Sequence, residues 1–152
     1  MILECDIGNT ACKWRVIDAS GKVLDRGYLN HAQQGFELLV PSSRFERVRA
    51  MSVASKDIGL RLDSVIKQRY SLKVEWAKTS SNTFCVTNAY QNASRLGVDR
   101  WAAVVAAYQQ VKSAAIIIDA GSAITVDAVN GDGDHLGGYI VAGVNLMTAA
   151  LG

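Results

Sequence analysis

Proline occurs once in these 152 residues, at Pro41, histidine twice and cysteine three times. With 49% of residues apolar, so little proline excludes a disordered or linker-like chain and fits an ordered soluble globule. The cysteines, Cys5, Cys12 and Cys85, are odd in number and form no CxxC pair, which speaks against a disulfide framework and for a reduced, cytoplasmic setting. Cys5 and Cys12 fall inside predicted core strands, where a free thiol behaves as a small apolar group. His31 and His135 have no cysteine or histidine partners at metal-site spacing and read as surface residues. No long run of like charges occurs, and a formal charge of +2 is too small to imply nucleic acid as a partner. The longest apolar run falls far short of the ~20 residues that span a bilayer, so no membrane is expected. The opening Met1-Ile2-Leu3-Glu4 lacks the basic region of a signal peptide.

Two short segments stand out from this ordinary background: Asp6-Ile7-Gly8-Asn9-Thr10 and Asp119-Ala120-Gly121-Ser122-Ala123. Each joins two β-branched apolar runs through an acid, a glycine turn and small polar side chains. A strand, a tight turn with free N–H groups and a returning strand make a cradle for phosphate oxygens. The carboxylate at its mouth can hold a cation beside those oxygens. In the first loop Lys13 adds a point charge within reach of a phosphate. Two such loops in equivalent positions suggest a duplicated architecture gripping a nucleotide from both sides. Asp127, at the end of the second returning strand, reads as a solvated acid outside the site.

The chain length fits one domain, or one plus part of another. Strands are predicted over 2–7, 12–18 and 22–29, a weak helix over 31–40, then a strand over Arg47–Val53. Ser55 can cap the next helix, in which Ile58, Leu62, Val65 and Ile66 share one face. A short strand, Leu72–Trp76, leads into a polar loop over 78–88. Another helix spans Val98–Val111, with Trp101, Val104, Val105, Tyr108 and Val111 on its apolar face. From Ala114 the opening pattern returns, with strands over 114–119, 123–129 and 135–141 and a helix beginning near Gly143. A repeat that stops there should leave apolar surface uncovered, as expected of the N-terminal part of a larger protein.

Leu96-Gly97-Val98-Asp99-Arg100-Trp101 lies where a loop enters the helix at 98. An acid at a helix start is often only an N-cap, worth ~1 kcal/mol, and spacing alone favours that reading. A carboxylate there is also rigidly aimed, and could accept the proton of an attacking hydroxyl while Arg100 pairs with an acidic substrate. The alternating Asn130, Asp132 and Asp134 mimic a calcium loop, but His135 stands at the turn-glycine position and Val141 at that of the bidentate glutamate. They read as a hairpin tip.

Taken in order, the two glycine loops, the 96–101 segment and Gly137-Gly138-Tyr139-Ile140 closely resemble type III pantothenate kinase, also called the Bvg accessory factor family, within the acetate-kinase and actin superfamily. The resemblance implies an α/β fold. By that resemblance a ribonuclease H-like (actin-like ATPase) domain, a mixed β-sheet with flanking helices, would occupy 1–112, and the start of a second, similar and incomplete domain would occupy 113–152. ATP would lie in the cleft of such a pair, and the family continues for about another hundred residues, which makes its total length that of two full domains. It implies ATP-dependent phosphorylation of pantothenate to 4′-phosphopantothenate, the first step of coenzyme A synthesis, by a homodimer. Asp6, Ile7, Gly8, Asn9, Thr10, Ala11, Cys12, Lys13 and Ser122 would bind ATP, with Asp6 near Mg²⁺ and Asp119 holding K⁺ or NH₄⁺. Tyr90, Gly97, Val98, Asp99 and Arg100 would line the pantothenate site, with Asp99 as general base. The chain has Ala93 and Ala142 where the family often has proline, and Ser122 where threonine is common. The alternative is a non-catalytic, nucleotide-binding regulator, although the chain has no helix-turn-helix signature or basic stripe.

Overall fold

In the computed structural model, residues 1–31, 35–36 and 45–151 are described, so most of the helix expected over 31–40 lies outside the described residues. The chain forms two compact units, Met1–Lys78 and Thr79–Gly152.

Among the described residues the first unit is a five-stranded mixed sheet in the order β3-β2-β1-β4-β5 with one α-helix. Its elements are β1 (Ile2–Ile7), β2 (Cys12–Ile17), β3 (Val23–Leu29), β4 (Arg47–Ser52), α1 (Lys56–Tyr70) and β5 (Val74–Trp76). β1 to β3 form an antiparallel meander, whereas β4 runs parallel to both β1 and β5. Parallel neighbours need a crossover, and α1 supplies the one joining β4 to β5. Period-2 alternation puts Leu3, Cys5 and Ile7 on one face of β1, all buried, where Leu62, Val65 and Ile66 of α1 join them. Burying Leu62 or Ile66 contributes about 1.5–3 kcal/mol each. Asp57 in the first turn of α1 and Lys67 and Arg69 in the last complement the helix dipole. Ser55 occupies the N-cap position, as expected, but its side chain makes no capping bond; its carbonyl accepts the Ile58 N–H at 3.1 Å.

The second unit carries the repeat: β8 (Ala115–Ala120), β9 (Ala123–Val129) and β10 (His135–Ala142) form an antiparallel meander in the order β10-β9-β8. The strands β1 to β3 are ordered the same way. α2 (Val98–Val111) buries Trp101, Val104 and Tyr108 with Val129, and Ala115 and Ile117 pack partly buried beside them. Val111, the last helical residue, is exposed instead. This unit therefore includes residues 79–112, which the strand repeat assigns to the first domain. Ile116, Ile118, Leu136 and Tyr139 are exposed on β8 and β10. α3 (Val144–Leu151) follows β10.

The polar segment 78–88 holds an unforeseen hairpin, β6 (Asn82–Thr83) with β7 (Val86–Thr87). Its two turn residues, Phe84 and Cys85, both have positive φ, 49° and 65°, the signs of a type I′ turn usually made by Asn-Gly. The side-chain amide of Gln109 on α2 donates to the Phe84 carbonyl and anchors the turn. Between Ala93 and Arg95 lies a single 3₁₀ turn, whose Ser94 N–H is capped by the Asn92 side chain. The Asn130–Asp134 hairpin tip is as expected: Asn130 Oδ1 accepts the N–H groups of Asp132 and Asp134 at 3.0 and 2.7 Å.

Candidate active site

The predicted site residues fall in both units. In the first, Asp6 and Lys13 face each other across the β1–β2 pairing, on the sheet face opposite Leu3, Cys5 and Ile7. Between them the loop closes through one backbone bond, from Gly8 N–H to the Ala11 carbonyl at 2.9 Å. The second unit's loop closes the same way, from Gly121 N–H to the Ala123 carbonyl at 2.9 Å. The two glycine loops thus share one local design. One expectation needs correcting, because neither glycine N–H is free for a phosphate. The exposed parts are the tips, Asn9 and Thr10 in the first loop and Ser122 in the second, with Lys13 exposed beside the first. Ser122 is further tied through its carbonyl, which accepts the Gly143 N–H at 3.0 Å. Ile7 and Cys12 are buried, so they reach a ligand only through their backbone.

His31 is not a surface residue. It is 3% exposed, and its Nε2 lies 2.8 Å from the Gly8 carbonyl oxygen. A carbonyl can only accept, so the ring donates from Nε2 and the imidazole steadies the first loop. Phe36 stacks on the ring at 6.1 Å between centroids.

In the second unit α2 begins at Val98 with Gly97 as its N-cap, which removes the cap reading of Asp99. Asp99 lies in the first turn instead, half-buried, where the dipole favours a carboxylate. Its Oδ1 accepts the Arg100 N–H at 2.7 Å. Arg100 points elsewhere. Its Nε and Nη2 donate to Asp127 Oδ2 and Oδ1 at 2.8 and 2.6 Å, a bidentate pair with side chains only 7% and 2% exposed. Asp127 is therefore no solvated acid. Its hydrogen bonds and charge raise the Arg100 pKa, outweighing the opposing effect of burial, so the guanidinium stays charged. Nor is His135 a surface residue: it is 3% exposed, with Nε2 2.9 Å from Asp127 Oδ1. Tyr90 lies over the His135 ring at 6.2 Å, with planes 13° apart.

The structure thus links Arg100 and Tyr90 through Asp127 and His135, which sequence reasoning left out, while Asp99 adjoins them as the chain neighbour of Arg100. A signal was present. Asp127 shares strand parity with the apolar Val129, and His135 pairs with Val129 in register, so both point into the layer under α2. Asp119 is exposed at the end of β8, opposite Thr125. Among the described residues no group of three or more His, Cys, Asp or Glu is arranged to hold a metal ion.

A mixed sheet, repeated meanders and paired glycine loops define the actin-like ATPase class, and solved structures agree. A protein assigned as a 2-dehydro-3-deoxygalactonokinase from Sinorhizobium meliloti matches with a TM-score of 0.57 at 12% identity, over 92% of this chain and 54% of that one. The Ppx/GppA family member of Aquifex aeolicus matches with a TM-score of 0.50 at 14% identity, over 97% and 53%. Such low identity establishes the fold alone. Sequence narrows it: the pattern of the family described as Type III pantothenate kinase matches residues 2–152. Relatives of that name are 42% identical in Azotobacter vinelandii, covering 99% of this chain and 61% of theirs, and 39% identical in Hahella chejuensis, covering 98% and 61%. The chain belongs to the type III pantothenate kinase family. It spans about three-fifths of the length of the curated relatives it matches.

Proposed function

We propose that the protein phosphorylates the primary hydroxyl of pantothenate with ATP, forming 4′-phosphopantothenate and ADP at the start of coenzyme A synthesis. The observation that carries this reading is Asp99, half-buried in the first turn of α2 and fixed by the Arg100 N–H, beside the buried Arg100–Asp127 pair. In this reading that carboxylate is the general base. It takes the hydroxyl proton as the substrate oxygen attacks the γ-phosphorus of ATP and ADP leaves. The Gly8 and Gly121 loops orient phosphate oxygens through their tips, and Lys13 offsets charge on them. Positioning and electrostatics then provide most of the acceleration. Mg²⁺ near Asp6 and K⁺ or NH₄⁺ at Asp119 would neutralise phosphate charge. Tyr90 and Gly97 to Arg100 line the pantothenate site, with Arg100 offering the substrate carboxylate the guanidinium N–H groups that Asp127 does not engage. We further infer that residues 113–152 begin a second domain like the first, that the protein works as a cytoplasmic homodimer, and that the exposed apolar residues of β8 and β10 become covered in the complete assembly.

The test is product formation from pantothenate, Mg-ATP and K⁺, followed by mass spectrometry beside Asp99→Asn. The wild type should yield phosphopantothenate, and the variant should lose about 10²–10⁴-fold in turnover while still binding ATP. Unchanged turnover in Asp99→Asn removes the base assignment. Tight ATP binding without turnover in the wild type favours the regulator.

A further inference from the structure

Asp127 and His135 are, at 2% and 3% exposure, the most deeply buried polar side chains described in the second unit, yet the chemistry above gives neither a role. Both oxygens of Asp127 are engaged by Arg100, and Oδ1 also meets His135 Nε2 at 2.9 Å. The His135 ring in turn lies nearly parallel to the Tyr90 ring, with centroids 6.2 Å apart. Gly138 closes the cluster, because a Cβ there would stand 2.4 Å from Asp127 Oδ1 and 2.6 Å from Arg100 Nη2. Gly138 thus has a steric reason, since backbone must pass where a side chain cannot, whereas Gly137 stands in open space with a φ of 102° that favours glycine. Two residues of the β9–β10 hairpin therefore tie together Arg100 and Tyr90, which come from separate segments.

We propose that Asp127 and His135 are positioning residues for the alcohol substrate, holding Arg100 and Tyr90 as one rigid surface beside Asp99. This rests on the pantothenate kinase reading. A lone guanidinium in so dry a place would be costly, and a long side chain without a partner would sample many rotamers. Asp127 removes both problems by neutralising the charge and fixing the fork, and His135 holds Asp127 while supporting the Tyr90 ring. Recognition of an anionic substrate here then depends on the placement of the remaining guanidinium N–H groups and the tyrosine more than on net positive charge.

The deciding experiment is steady-state kinetics on the full chain, varying pantothenate and ATP separately. Asp127→Asn and His135→Phe should each raise the pantothenate KM about tenfold or more while the ATP KM stays within about twofold. His135→Gln, whose amide reaches the Nε2 position, should restore most of the loss. Parallel changes in both KM values, or a lower melting temperature with unchanged kinetics, would overturn the assignment and leave the cluster a core ion pair. Should Asp127→Asn fail to fold, the contrast of His135→Phe with His135→Gln decides the question. An inactive wild type takes away the kinase reading and this inference together, whereas an active wild type with indifferent variants takes away this inference alone.

Discussion

The His31 imidazole holds the carbonyl of Gly8, Nε2 to oxygen at 2.8 Å, from a position 3% exposed to solvent. Its other ring nitrogen, Nδ1, is buried without a partner among the described residues. The bond reaches from outside into the loop proposed to hold phosphate. Replacing His31 with alanine leaves the Gly8 carbonyl without this donor, at a cost of about 1–3 kcal/mol, and frees the loop. ATP affinity should fall with stability, and His31→Gln, which keeps a donor at the Nε2 position, should lose less of both. Calorimetric ATP titration and thermal melts of the two variants check this; equal ATP affinity in wild type and His31→Ala would separate the histidine from the loop's function.

Gly138 gives a purely steric prediction. A Cβ there would lie 2.2 Å from the Val126 carbonyl oxygen as well as against the Arg100–Asp127 pair, whereas one at Gly131 meets nothing within 4 Å. Gly138→Ala should cost about 1–3 kcal/mol through overpacking. Gly131→Ala should stay within about 0.5 kcal/mol of wild type. Denaturant unfolding of the pair measures both, and equal midpoints would refute the close approach.

The three cysteines should react unequally. Cys85 is exposed, while Cys5 and Cys12 are buried. A hydrogen bond with Cys12 first, and then burial, pushes the Cys5 thiol well above its ordinary value, so little thiolate forms there at pH 8. Intact-mass analysis after brief alkylation should show a single adduct in the native protein, at Cys85, and full labelling only after unfolding. Early labelling of Cys5 would contradict the packing of β1.

Across the parallel strands β4 and β5, Arg47 donates from Nε and Nη2 to the two oxygens of Glu75 at 2.8 and 2.6 Å. These bonds hold the Glu75 carboxyl below its ordinary value. A carboxyl depressed in the folded state contributes stability above its unfolded pKa and loses it as pH falls through the folded pKa. The gap in melting temperature between wild type and Glu75→Gln should therefore be present at neutral pH and close on acidification below the ordinary glutamate range. Both side chains are about half exposed, so the gap is small and shrinks with salt. A gap that widens in acid would reverse the sign of this linkage.

Local pattern made much of the fold legible. Alternation in Leu3, Cys5 and Ile7 marks the inner face of β1, and helical spacing marks Leu62, Val65 and Ile66; all six are buried. The β6–β7 hairpin escaped notice because Phe84-Cys85 carries none of the usual turn chemistry, and the positive φ values are held by Gln109 from a distant helix. For the site, both glycine loops and the segment at 96–101 were readable. The burial of Asp127, His31 and His135 was not, since these polar residue types are mostly exposed and only their partners make burial affordable.

By itself the sequence determined the order of the longer strands and of the helices at 56–70 and 98–111, the two matching glycine loops and membership of the type III pantothenate kinase family, because each depends on periodicity or on contiguous residues. Only the tertiary structure decided which polar groups leave water. Arg100 and Asp127 are 27 positions apart, and His31 and Gly8 are 23 apart. Whether such side chains meet depends on strand register and on how α2 lies across its sheet. A charged or polar group can be buried only where those long-range placements bring it a partner.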